Sequence, residues 1–163
     1  MFDTIAVVAY LIGDGSGVSN CLRLKALFAE KKRTVVQMQN VPSPYIKWHG
    51  VPPGANSLAL IIKDAKISSA NSKRNYYWVI YNLPPSVKEL PYNSANKINK
   101  HNEAVNSWGQ KNYHSIRYAN TTHTVFVELY ALDKRFSARE KITGKVLEQK
   151  IKNHVLTKAV IQG

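Results

Sequence analysis

Cysteine is almost absent from this 163-residue chain. Cys21 stands alone, which excludes an internal disulfide and a cysteine-rich zinc site and leaves the redox compartment open. Acidic residues are scarce too. Ten Asp and Glu face 23 Lys and Arg, giving a formal charge of +13 that favours an anionic partner such as nucleic acid, a phospholipid surface or a phosphorylated ligand. The basic residues are scattered from Lys31-Lys32-Arg33 to Lys134-Arg135, Lys150 and Lys152, as on a solvated surface that keeps a protein soluble, so charge alone does not choose between the two readings. No apolar run is long enough to cross a bilayer as a helix; residues 4–13 come nearest and fall short. With 44% hydrophobic and 20% charged residues the chain reads as one globular domain, burying about two thirds of the surface its unfolded form exposes.

Residues 1–21 read as an extension preceding a domain over 22–163. The apolar run 4–13 has the length of a signal-peptide core, but Asp3 stands where a basic flank is expected and Asp14 follows closely, so an extra edge strand is an equal alternative. An export segment places the protein in the periplasm or cell envelope; otherwise it is cytoplasmic. Val18-Ser19-Asn20-Cys21 is a poor lipoprotein box, and Gly13, Gly15 and Gly17 lack the spacing of a phosphate-binding loop and suit a linker. Leu22, Leu24 and Ala26 alternate with Arg23 and Lys25 as in a half-exposed strand, and residues 34–41 form a second candidate. Pro42-Ser43-Pro44 blocks helix, and the short strand Tyr45-Ile46-Lys47-Trp48 stops at Gly50 and Pro52-Pro53-Gly54.

The central pair comes next. Residues 58–62 form an apolar strand interrupted by Lys63-Asp64-Ala65-Lys66, and residues 76–83 return as a second strand closed by Pro84-Pro85. Alternation places Tyr77 and Val79 on one face and Trp78 and Ile80 on the other, as in a strand packed on both sides. Residues 86–112 read as a long polar loop. Residues 121–132 alternate clearly, with Val125, Val127, Leu129 and Ala131 on one face and Phe126, Glu128 and Tyr130 on the other. Ser137-Ala138-Arg139-Glu140 has the form of a capping box, predicting a helix start there, and Leu147, Ile151, His154 and Val155 recur at helical spacing with Gly144 the weak point. A last strand over 159–161 completes a mainly antiparallel sandwich with one late amphipathic helix.

Catalytic constellations are missing. The five histidines have no partners at metal-ligand spacing, no Gly-x-Ser-x-Gly elbow is present, and neither a metal nor a cofactor is called for. An acid and base pair of Asp64 and His123 is conceivable where their strands adjoin, which makes a hydrolase or lyase the least favoured reading. Lys73-Arg74-Asn75-Tyr76-Tyr77-Trp78 mixes basic and aromatic residues as nucleic-acid stacking platforms do, but core packing explains its aromatics better and no named motif supports nucleic acid.

Several landmarks in register resemble the phosphatidylethanolamine-binding protein family, which includes the Raf kinase inhibitor proteins, and are most similar to its compact bacterial branch. Ser43-Pro44 with Trp48-His49-Gly50-Val51-Pro52, the strand Ser57-Leu58-Ala59-Leu60-Ile61-Ile62, and Tyr77-Trp78-Val79-Ile80-Tyr81-Asn82-Leu83-Pro84 look like its first signature. Asn106-Ser107-Trp108-Gly109, Tyr113, His123 and Leu129-Tyr130-Ala131-Leu132 look like its second, and Ile151-Lys152-Asn153-His154-Val155-Leu156 like its close. The resemblance implies an antiparallel Greek-key β-sandwich with a peripheral C-terminal helix. It also implies a small pocket at the sheet rim for phosphate or phosphorylated head groups, without enzymatic chemistry common to the family.

Carried over residue by residue, the implied pocket holds Asp64, Tyr77, Tyr113, Ser115 and His123, with Lys66, Ile116 and Val125 at its rim. Asp64 would orient His123, and Tyr77 with backbone N–H groups around Ser115 would face the ligand. The motifs are eroded. Lys66 stands where the family has a second Asp, Tyr77 where it has His, Thr124 and Val125 follow His123 in place of Arg and Tyr, and Ser115-Ile116-Arg117-Tyr118-Ala119 replaces a proline-rich loop. The expectation is a non-enzymatic binding protein with a degenerate anion pocket. The alternative is an interaction protein whose basic surface docks an acidic protein or a membrane surface beside a vestigial pocket. Oligomeric state stays open.

Overall fold

In the computed structural model the structure describes residues 3–9, 22–30, 42–64, 76–95, 97, 102–116, 124–138 and 141–163. The organising strand is β4, Ser57–Asp64, whose side chains are buried on both faces except for half-buried Lys63. Burial on both faces requires partners on both edges and cover on both sides, and each is present. β5, Tyr76–Leu83, and β8, Val125–Leu132, flank β4 antiparallel. With β7, Asn102–Glu103, and β9, Val155–Gln162, they form a five-stranded sheet ordered β7-β5-β4-β8-β9. A second sheet, β1-β2-β3-β6, is built from Asp3–Ala9, Arg23–Glu30, Tyr45–His49 and Glu89–Leu90. In the second sheet β1 is an edge strand paired along its length with β2.

The main core lies between the sheets. Leu24, Ala26, Ile46 and Trp48 from one meet Leu58, Leu60, Ile62, Trp78, Ile80, Val127, Leu129 and Ala131 from the other. The opposite face of the larger sheet is covered by the helix α1, Gly144–Ile151, where Ala59, Ile61, Val79, Tyr81, Tyr130 and Leu132 pack against Ile142, Leu147 and Ile151. A sheet covered on both faces needs near-continuous hydrophobic strands, which is why β4 and β5 lack simple alternation. The protein is thus the expected mainly β, antiparallel sandwich with a C-terminal helix.

Several expectations change. The helix starts at Gly144, with the Thr143 hydroxyl accepting from Val146 N at 3.3 Å, and no helix begins at Ser137 or Ala138; Arg139 and Glu140 lie outside the described residues. It ends at Ile151, so His154 and Val155 fall beyond it, and β9 begins at Val155, four residues earlier than the expected last strand. The 86–112 segment is not featureless: it contributes β6 and β7, and Val105 bridges Thr143. The candidate strand over 34–41 lies outside the described residues.

The facing of β5 is also corrected. Ile62 pairs with Trp78 but Lys63 pairs with Tyr76, so Tyr77 is an extra residue that bulges from the ladder. Tyr77 therefore joins Trp78 and Ile80 on the sandwich side, while Val79 faces the helix. A second irregularity lies between Leu58↔Leu83 and Leu60↔Ile80, where Asn82 takes φ of +57°, a left-handed conformation that Asn tolerates better than most residues. Its side chain donates to Phe136 O at 2.6 Å and accepts from Phe136 N at 2.8 Å, which ties down the loop after β8.

Candidate functional site

The bulge brings the rim together. Asp64, the last residue of β4, follows Leu60 and Ile62 onto the sandwich face and is buried beside Val125, its register partner on β8. Displaced by the bulge, Tyr77 reaches it, and the Tyr77 hydroxyl donates to Asp64 Oδ2 at 3.3 Å. Strict alternation would have sent this side chain to the helix face.

A loop built by Asn106 walls the site. Its buried side chain accepts from Trp108 N and Gln110 N at 2.9 and 3.0 Å and donates to Asn112 O at 2.8 Å. Gly109 supplies the turn at φ +80°. Ser107 fixes the loop to β5, its hydroxyl accepting from Tyr76 N and its own N–H donating to Tyr76 O, both at 3.0 Å. The Asn-Ser-Trp-Gly motif is thus a scaffold that presents Trp108. The Trp108 ring lies 5.5 Å from that of Tyr77 and stacks on His114 at 3.6 Å with planes 3° apart. His114 N donates to Tyr77 O at 2.9 Å, and its Nδ1 donates to Ser115 O at 3.0 Å, which fixes the proton on that nitrogen. Tyr113 packs edge-on against Trp78 at 5.7 Å.

Of the residues expected at the site, Asp64, Tyr77 and Val125 meet at this end of the sandwich, and Tyr113, Ser115 and Ile116 run alongside through the His114 link to Tyr77. His123 and Lys66 lie outside the described residues, and with them the expected Asp64–His123 contact. The sequence reading passed over the Trp108–His114 stack; the adjacency of His114 to two expected site residues was the available signal. Away from this rim, a cleft of about 440 Å³ lined by Trp48, Val51, Pro52, Pro85 and Lys88 lies at the opposite end of β5.

Behind the rim lies a cluster of ionisable side chains on the helix side of the sheet. Lys63 Nζ contacts Glu148 Oε1 and lies 3.2 Å from Glu128 Oε2. Lys158 Nζ is 3.2 Å from Glu128 Oε1, the Tyr130 hydroxyl donates to Glu128 at 2.6 Å, and the Tyr76 hydroxyl donates to Glu148. Burial pushes the Glu128 carboxyl up, but the Tyr130 hydrogen bond and the charges of Lys63 and Lys158 outweigh it and hold the group below its ordinary range. Burial likewise pulls Lys63 down, and the Glu148 hydrogen bond with the charge of Glu128 reverses this into a net rise. Tyr76 and Tyr130 are raised by burial first and then by the carboxylates they donate to. Glu128 had a legible signal, since a carboxylate inside an apolar strand demands partners. Among the described residues no cluster of His, Cys, Asp and Glu could hold a metal ion.

The architecture belongs to a class with solved members. A Chlamydia trachomatis chain described as a phosphatidylethanolamine-binding protein homologue superposes with a TM-score of 0.70 at 23% identity, covering 89% of this chain and 97% of that one. Escherichia coli YbcL, described as a new member of the mammalian PEBP family, gives 0.65 at 18% identity, covering 74% and 77%. The phosphatidylethanolamine-binding protein family model matches residues 22–163, and the chain belongs to that family. Relatives include UPF0098 proteins of Methanothermobacter thermautotrophicus, 32% identical over 124 residues, and of Chlamydia muridarum, 27% identical over the same length; each match spans 74% of this chain and 80% of the relative. The protein is a PEBP-like binding protein.

Proposed function

We propose that this is a non-catalytic binding protein whose rim of Asp64, Tyr77, Tyr113, Ser115 and His123 takes a phosphorylated head group. The observation that carries the reading is the buried Asp64–Tyr77 pair at the end of the sandwich, beside the stacked Trp108 and His114. A buried carboxylate opposes a bare dianion and favours a ligand carrying a cation beside its phosphate. The Tyr77 hydroxyl spends its proton on Asp64, so phosphate donors would come from His123 and the backbone around Ser115. Phosphoethanolamine fits this chemistry better than inorganic phosphate. In titrations followed by backbone NMR shifts, both should perturb amides near Asp64 and Ser115 at millimolar concentration, with phosphoethanolamine the tighter, and Asp64→Asn should erase that preference. Absence of shifts at this rim with either compound removes the reading.

A second reading draws on the charge of +13, which suits docking to an acidic protein or a membrane surface independently of the rim. Under it, binding to anionic vesicles falls steeply with salt and survives His123→Ala.

A further inference from the structure

Lys63 and Asp64 are consecutive on β4, and Tyr76 and Tyr77 are consecutive on β5. One member of each pair faces the helix and the other faces the sandwich core. The helix-facing members, Lys63 and Tyr76, are register partners, and both bind the same Glu148 of α1, on its two different carboxylate oxygens. The core-facing members, Asp64 and Tyr77, are hydrogen-bonded to each other. The irregular step in the ladder falls between Ile62↔Trp78 and Lys63↔Tyr76, where Tyr77 is the extra residue and the backbone is least constrained by regular strand pairing. Two further features fix the helix-facing side. Gly144 at the start of α1 lies so close to the Tyr76 ring that a side chain there would overlap it, and Lys63 is held from its other side by Glu128.

We propose that Glu148 is a positioning residue for the candidate site: by clamping Lys63 and Tyr76 from behind the sheet, α1 sets the bulge geometry that brings the Tyr77 hydroxyl to Asp64. The ligand chemistry is the phosphorylated head group proposed above, and the affinity part of the inference rests on that reading. The positional part does not. A static sheet would need no such clamp, but a bulged strand can relax by letting its extra residue swing back toward alternation, and here the residue that would return to the helix face is Tyr77.

The test compares wild type with Glu148→Gln, with Tyr76→Phe, which keeps the ring against Gly144 and removes only the hydroxyl, and with Glu89→Gln. Glu89 serves as a charge control because its carboxylate accepts from Tyr45 on the other sheet. In the ligand-free proteins, the Asp64 side-chain carboxyl and Tyr77 ring resonances should move in Glu148→Gln and Tyr76→Phe, remain in place in Glu89→Gln, and return toward wild type in Glu148→Asp. Phosphoethanolamine affinity should fall about tenfold in Glu148→Gln, as when a supporting group behind a binding residue is lost. Unmoved Asp64 and Tyr77 signals overturn the inference, and so does an equal shift in Glu89→Gln, which would mark a general charge effect. Moved signals in a protein that binds neither phosphate nor phosphoethanolamine uphold the positioning role and remove the functional reading instead.

Discussion

Gly144 illustrates how a single residue can carry opposite meanings in sequence and in space. By helix propensity it is a defect, costing up to about 1 kcal/mol against Ala in a helix interior. In the fold it is the first residue of α1, and a Cβ there would overlap the Tyr76 ring, so its smallness seats the ring whose hydroxyl binds Glu148. Gly144→Ala is therefore expected to destabilise by about 1–3 kcal/mol in urea unfolding, the cost of overpacking. In a Tyr76→Ala background the same change should be near neutral, and an undiminished penalty there would show that Tyr76 is not its cause. Similar limits apply to the site. Asp64, Tyr77, Tyr113 and Ser115 are candidates by resemblance to motifs alone, since side-chain chemistry survives in sequence. The facing of Tyr77 was not legible, because a bulge adds one residue without changing the composition of the strand around it.

At the scale of elements, β5 is the least regular of the long strands in its sheet, and its second irregularity makes a measurable claim. Asn82 combines a left-handed backbone with two side-chain hydrogen bonds to Phe136. Asn82→Ala should cost about 2–4 kcal/mol, adding the left-handed strain of a residue with a Cβ to the lost hydrogen bonds. Asn82→Gly should cost less, since it removes only the bonds; equal losses in the two variants would place the whole effect in the side chain. Elements with a single periodicity were legible. β8 alternates as its residues predict, with Val125, Val127, Leu129 and Ala131 facing the sandwich core. The helix boundary was not: Ser137 offered a capping pattern, but the cap that forms is Thr143, next to the bridge with Val105 and the buried contacts of Leu147. Tertiary packing overrode the local pattern at Ser137.

Across the whole molecule, each of the six carboxylates whose side chains are described accepts a hydrogen bond from within the chain: Asp64 from Tyr77, Glu89 from Tyr45, Glu103 from Trp78, Glu128 from Tyr130, Asp133 from His154 and Glu148 from Tyr76. This predicts how stability depends on pH. Glu128 is held below its ordinary range, so its contribution is complete above the unfolded value near 4.3 and is lost as pH falls through the lower folded value. Lys63, Tyr76 and Tyr130 are all raised, so their contributions are complete below their unfolded values near 10 and decline as pH rises past them. Urea midpoints should form a plateau from about pH 5 to 9, with Glu128→Gln flattening the acid limb; an acid limb unchanged by that substitution would place the titration elsewhere. The central position of β4 has a further consequence, one of time. Its partner β8 ends at Leu132, 68 residues after Asp64 (132 − 64), so at roughly 5–20 residues per second the apolar β4 edge waits about 3–14 s for β8 during synthesis. A sheet closed by such distant pairing should refold in milliseconds to seconds, not microseconds, in stopped-flow fluorescence. During that wait the nascent chain carries an unpaired strand edge whose central run, Leu58 to Ile62, is apolar, the state in which it is most open to capture by a chaperone or by another copy of itself.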